Sequence, residues 1–196
     1  MKELAMLSVN LRNAAYFTLV AWLLLDGLLV FTKYSRGAKS ADRGSLWWVI
    51  SVLWLGIALA MYRAYTPGLG SLGAATVPVQ LFGFAVMALG IGIRFIAVRQ
   101  LGKLHMPVVA IQADHPLMDR GLYAKVRHPS YLGATLALFG FGLGLGNGVS
   151  ALVALVAALV SYGYRIHVEE IALVKGLGDR YIDYRLRTRR LIPWIY

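Results

Sequence analysis

The 196-residue chain contains no cysteine. That excludes a disulfide framework, a thiolate metal site and a cysteine nucleophile together, and it leaves the redox compartment unreadable. Charge is scarce too. Asp, Glu, Lys and Arg make up 15% of the residues, and acidic residues number 9 against 20 basic ones. Soluble domains average about a quarter charged residues, so this composition argues against a water-soluble domain. Repeats and low-complexity tracts are also missing. What the sequence has is hydrophobicity, 59% of its residues, gathered into runs of the length that crosses a bilayer. Such a crossing needs about 20 residues of helix.

The first run, 14–31, follows a short polar lead with Lys2, Glu3 and Arg12. It is too long for the apolar part of a signal peptide and no small-x-small site follows it, so it reads as a retained helix. Asp26 inside it is costly in lipid and should face other helices or the interface, with functional use as the lesser alternative. A basic loop at 33–43 leads to a second span at 46–62, and Pro67, Gly68, Gly70, Gly73 and Pro78 mark the next link. The third span runs over 77–98. From 99 to 130 the chain is mixed, with Pro107, Pro116, Gly121 and Pro129 ruling out one continuous helix. The apolar stretch 131–164 has Gly142, Gly144, Gly146, Asn147 and Gly148 near its middle, which predicts two helices meeting in a tight hairpin. The stretch 165–196 is polar and basic and reads as a soluble or surface-lying helix. The expected architecture is an all-α integral membrane protein of about five transmembrane helices with a cytoplasmic segment and a C-terminal helix. Three spans fall in 1–98 and two in 99–196.

Lysine and arginine fix an expected orientation, because cytoplasmic loops carry the excess of them. Four lie in 33–43, five in 99–127 and seven from Arg165 onward, against Lys2, Arg12 and Arg63 on the other side. The N-terminus is therefore expected outside and the C-terminus in the cytoplasm. The net charge of +11 suits anionic headgroups, so the expected partner is the lipid bilayer and not nucleic acid.

Polar chemistry concentrates in 99–131 and 165–193. The first contains His115, Leu117, Gly121, Tyr123 and the run Arg127-His128-Pro129-Ser130-Tyr131. The second contains Arg165, the Glu169-Glu170 pair and Gly178-Asp179-Arg180-Tyr181 leading to Tyr184. In this order and spacing, 101–193 resembles the isoprenylcysteine carboxyl methyltransferase family and its phospholipid-methylating relatives. The resemblance implies that 99–196 is a methyltransferase-like catalytic region using S-adenosylmethionine. It implies that His115, Leu117, Gly121, Tyr123, Arg127, His128, Pro129, Tyr131, Arg165, Glu169 and Glu170 surround that cofactor. The chemistry of these side chains suits such a ligand, with a guanidinium and an imidazole for a carboxylate, carboxylates for an ammonium or ribose hydroxyls, and tyrosines as aromatic faces with a hydroxyl. Arg127 and Arg187 are the catalytic candidates, Arg187 as the group orienting an acidic acceptor, with contact to anionic lipid as its equal alternative. The implied acceptor is lipophilic: a prenylated substrate, or a small lipid or isoprenoid acid.

Plainer readings stand beside each motif. Arg127-His128-Pro129 alone is an interfacial anchor with proline at a helix start. Arg165 and Glu169 alone are an i,i+4 surface pair. Gly146-x-Gly148 follows no strand, so a dinucleotide loop is rejected. His105, His115, His128 and His167 lack paired ligand spacing, so no metal is expected. A nicotinamide-dependent membrane reductase of the steroid-reductase type and a non-catalytic membrane scaffold are the alternative classes. The methyl acceptor and the oligomeric state are not legible.

Overall fold

A computed structural model of the chain describes residues 2–31, 44–66, 68–102 and 117–192. Within them lie the helices α1 (Lys2–Phe31), α2 (Ser45–Tyr65), α3 (Thr76–Leu101), α4 (Pro129–Gly144), α5 (Gly148–Leu177) and α6 (Asp179–Arg187), with single 3-10 turns at Gly73–Ala75 and Gly121–Ala124. No strand occurs among the described residues. Three segments are long and apolar enough to cross a membrane: Ser45–Tyr65, Gly73–Leu101 and Gly148–Leu177. Large apolar side chains such as Phe17, Trp54, Leu55, Phe82, Leu89 and Leu152 point outward, as they do where lipid is the solvent.

The helices form an antiparallel bundle with α4 at its centre. This 16-residue helix is buried along most of its length and packs on α1, α3 and α5. Its contact with α3 rests on glycines seven residues apart on both helices, Gly83 and Gly90 facing Gly140 and Gly133. A Cβ on Gly133 would stand 2.6 Å from the Gly90 carbonyl oxygen, and one on Gly90 would stand 2.6 Å from that of Gly133. Only bare backbone fits there, which is how membrane helices gain dispersion contact without a hydrophobic drive between them. The α4–α5 hairpin turns where the glycine cluster predicts, and Asn147 caps α5 by accepting from the Ser150 N–H at 3.0 Å.

The polar lead with Lys2, Glu3 and Arg12 forms the first turns of α1. One sequence expectation needs correction. Arg165 does not begin a separate surface helix: α5 runs unbroken to Leu177, and the chain turns at Gly178 into the short α6. Hydropathy drops at Arg165, but its guanidinium and the Glu170 carboxylate have partners inside the bundle, so the helix continues without stranding a charge. Asp26 behaves as expected, facing other helices. Both its oxygens accept from Arg94 of α3, each at 2.6 Å, and Arg94 also donates to the Ser130 hydroxyl at 2.9 Å.

The contacts Asp26–Arg94, Arg165–Ser45 and Arg127–Glu170 place the end of α1, the start of α2, the end of α3, the start of α4 and the end of α5 together. The Gly146–Gly148 turn sits at the opposite end, where Gly148 N–H donates to the Gly70 carbonyl at 2.9 Å.

Candidate active site

The site grows from the link between α3 and α4. Gly121 adopts φ +60°, and a Cβ there would lie 2.7 Å from the Gln100 amide carbon, so glycine lets the turn close on α3. Gln100 in turn accepts from the Leu122 N–H at 3.0 Å. Tyr123 is buried, its hydroxyl donating to the Ala97 carbonyl at 3.4 Å. Its own carbonyl accepts from the Tyr184 hydroxyl at 2.6 Å, which holds α6 against the turn. Burial pushes the Tyr123 and Tyr184 phenols above their usual range, so both stay protonated and Tyr184 remains a donor. Leu117 packs with Leu177, Tyr181 and Tyr184.

The segment after α6 lies beside the Arg127-His128 run as a short parallel ladder. Arg189 donates its N–H to the Lys125 carbonyl at 3.1 Å, Arg127 to that of Arg189 at 2.7 Å and His128 to that of Arg190 at 3.0 Å. Pro129 then occupies the first turn of α4, where a missing N–H costs nothing.

Charge is distributed tightly across this frame. Glu170, buried, accepts from Arg127 Nε at 2.8 Å on Oε1 and from Arg190 Nε at 3.0 Å on Oε2. Arg127 also donates to the Thr188 carbonyl at 2.6 Å and the Arg185 carbonyl at 3.2 Å, capping the end of α6. His128 Nε2 stands 3.5 Å from Glu170 Oε1, and it is buried with no hydrogen bond of its own. Beside this group the Tyr131 hydroxyl donates to Glu169 at 2.8 Å and accepts from Arg165 Nε at 3.4 Å, and Arg165 also donates to the Ser45 hydroxyl. Arg165 and Glu169 thus meet through a tyrosine of another helix, which a surface i,i+4 pair would not do. The rings of His128, Tyr131 and Tyr162 stack, with centroids 5.7 Å and 5.2 Å apart.

Of the residues singled out from sequence, Leu117, Gly121, Tyr123, Arg127, His128, Pro129, Tyr131, Arg165, Glu169 and Glu170 all gather at this end of the bundle. His115 lies outside the described residues. Arg187 stands apart on the exposed side of α6, its side chain 63% exposed and 3.6 Å from Asp119. Sequence reading missed Ser45 of α2, Tyr162 of α5, and Thr188 and Arg190 of the tail. Thr188 and Arg190 had a signal, since they sit in the resembling stretch. Ser45 had none, being 120 residues from its partner Arg165. Among the described residues no three His, Cys, Asp or Glu side chains group as metal ligands.

These features define an all-helical membrane protein whose polar site is built at one end of the bundle, from an Arg-His-Pro helix start and a paired-glutamate helix end. Residues 82–175 match the model of the isoprenylcysteine carboxyl methyltransferase (ICMT) family, so the resemblance carried by the motifs extends back into α3. The chain is 36% identical over 118 residues to the protein-S-isoprenylcysteine O-methyltransferase of Schizosaccharomyces pombe, covering 59% of this chain and 50% of the relative. It is 32% identical over 127 residues to that of Saccharomyces cerevisiae, covering 64% and 53%. A solved structure of the eukaryotic intramembrane Ras methyltransferase ICMT superposes with a TM-score of 0.58 at 26% identity, over 75% of this chain and 51% of the other. The chain thus spans about half the length of these relatives.

Proposed function

We propose that the protein is a membrane methyltransferase that moves a methyl group from S-adenosylmethionine to a lipophilic acceptor, preferentially the carboxylate of a prenylcysteine-like or isoprenoid substrate. The observation that carries this reading is the convergence of Arg127-His128-Pro129-x-Tyr131 with Arg165, Glu169 and Glu170, inside the segment that matches the family.

The residues present fit the cofactor. His128 Nε2 is buried and makes no protein hydrogen bond, its neighbouring carboxylate oxygen, Glu170 Oε1, standing 3.5 Å away, and buried polar atoms are ordinarily satisfied. The stacked His128, Tyr131 and Tyr162 rings offer aromatic faces suited to a cation, and Glu169 offers a carboxylate beside them. His128, Tyr131, Arg165 and Glu169 are assigned to the cofactor directly. Leu117, Gly121, Tyr123 and Pro129 shape the wall, and Arg127 and Glu170 hold that wall to the tail. His115 keeps its assignment from sequence. When bound, S-adenosylmethionine supplies an already activated methyl group on a cationic sulfonium. What is left to the protein is to position the reactants and to exclude water. An acceptor carboxylate is ionised at neutral pH, so no side chain need remove a proton. Arg187, on the outer side of α6, is assigned to steering the acidic head of the acceptor.

The reading includes five crossings, with α1 and α4 joining the three apolar segments, the N-terminus outside and the site end in the cytoplasm. Trp47, Trp48 and Tyr164 at the site end and Tyr62 and Tyr65 at the other lie exposed, as aromatic belts do at the two interfaces. The acceptor then reaches the site laterally from the bilayer and the cofactor from water.

Equilibrium binding to the detergent-purified protein tests the cofactor assignment. S-adenosylmethionine and its demethylated product are expected to bind, and NADPH is not. Binding of NADPH in their place overturns the reading.

A further inference from the structure

The outer face of α6 carries an apolar strip that none of the described residues covers. Ile182 is 42% exposed, Leu186 one turn later 78% and Ile192 beyond the helix 42%. The helix cannot roll these inward. Its opposite face is fixed by Tyr181 and Tyr184 packed on Leu117, Leu173, Val174 and Leu177, and by the Tyr184 hydroxyl bonded to the Tyr123 carbonyl at 2.6 Å. Arginines border the strip: Arg185 and Arg189 are exposed on either side of Leu186, and Arg180 is exposed one turn before Tyr184. The placement is also right for a bilayer surface. Trp48 and Tyr164 meet edge to face at 5.5 Å with both rings exposed, as aromatic residues do at an interface. Glu170, which receives Arg190 at 3.0 Å, is six helical residues further along α5, about 9 Å, the scale of the headgroup region. An apolar strip edged by arginine at that height matches one chemistry, a leaflet rich in anionic phosphate headgroups.

We infer that α6 docks on the membrane surface, inserting Ile182 and Leu186 among acyl chains while Arg185 and Arg189 engage anionic lipid. The ladder between residues 125–128 and 189–190 makes this docked face continuous with the wall of the site.

The absence of cysteine makes the test clean. Single cysteines at Leu186, Ile182 and Asp183 carry a spin label in full-length protein reconstituted into phosphatidylcholine vesicles with and without phosphatidylserine. Labels at 182 and 186 are expected to be relaxed by lipid-dissolved oxygen and shielded from an aqueous nickel chelate, with the 183 label showing the reverse. Phosphatidylserine should deepen the 182 and 186 labels, and Arg185→Gln with Arg189→Gln should remove that dependence. A 186 label as open to nickel as the 183 label in both lipids overturns the inference. So does burial that ignores phosphatidylserine, and so does dipolar broadening between labels, which would mean that a second copy of the chain covers this face.

Discussion

Arg127 donates through Nε to Oε1 of Glu170 at 2.8 Å, tying the start of α4 to the far end of α5. Both side chains are nearly sealed from solvent, at 8% and 4% exposed. The same guanidinium caps α6 through the Thr188 and Arg185 carbonyls. Two helix ends and the tail therefore depend on one buried ion pair, which frames the proposed cofactor site.

Removing either partner should destabilise the protein, and unequally. Breaking a buried pair by deleting one member costs about 3–5 kcal/mol. Arg127→Ala leaves Glu170 with Arg190, whereas Glu170→Ala leaves two guanidiniums without their carboxylate. The glutamate variant is expected to melt lower in detergent, and both should bind S-adenosylmethionine more weakly, because the wall that Arg127 and Glu170 hold to the tail loses its anchor. A melting temperature unchanged in both would refute the framing role.

The Asp26–Arg94 pair predicts a second effect, inside the bundle. Asp26→Asn leaves Arg94 charged opposite a neutral amide, with the Ser130 hydroxyl as its other side-chain acceptor, so stability should fall by about 3 kcal/mol. Asp26→Leu combined with Arg94→Leu removes both charges and should recover part of the loss. Thermal unfolding of the two variants checks it, and equal losses would contradict a charge-pairing role.

Much of this was readable in the chain because hydropathy and glycine are local signals. The runs at 46–62 and 77–98 became α2 and α3, the 142–148 cluster became the α4–α5 turn, and Asp26 announced that it needed a partner. The identity of that partner was not readable, because Arg94 lies 68 residues away. Arg165–Leu177 was misread because its polar residues lower the hydropathy while their partners, Ser45, Tyr131, Arg127 and Arg190, come from distant segments. The motif order in 115–131 and 165–170 singled out residues of which the described ones gather at one end of the bundle. It could not tell that Arg127 and Glu170 hold each other, since a spacing rule carries no information about pairing.

The glycine seam gives a third expectation. Gly90→Val and Gly133→Val must separate α3 from α4, since backbone occupies the space a side chain would need, and overpacking costs about 1–3 kcal/mol or more. Gly92→Ala, on the same helix with open space at its Cβ, should be silent. Melting temperatures of the three decide it, and a silent Gly133→Val would mean that the helices are further apart.

Topology is checked with single cysteines in intact cells. Leu69→Cys, exposed at the end opposite the site, should react with an impermeant external maleimide, and Asp183→Cys on α6 should not. The reverse pattern would invert the proposed orientation.

The central claim is methyl transfer at a membrane site. Purified protein in bilayers, given S-adenosylmethionine labelled in its methyl group, should form a base-labile methyl ester on a prenylated cysteine carboxylate. Formation on the tail-free counterpart at matched concentration should be far slower, because each buried methylene contributes up to about 0.8 kcal/mol to apparent affinity. Glu169→Gln and Tyr131→Phe should lower the rate through weaker cofactor binding. An absence of labelled ester from folded, cofactor-binding protein across prenylated, acylated and isoprenoid acids would contradict the methyltransferase reading.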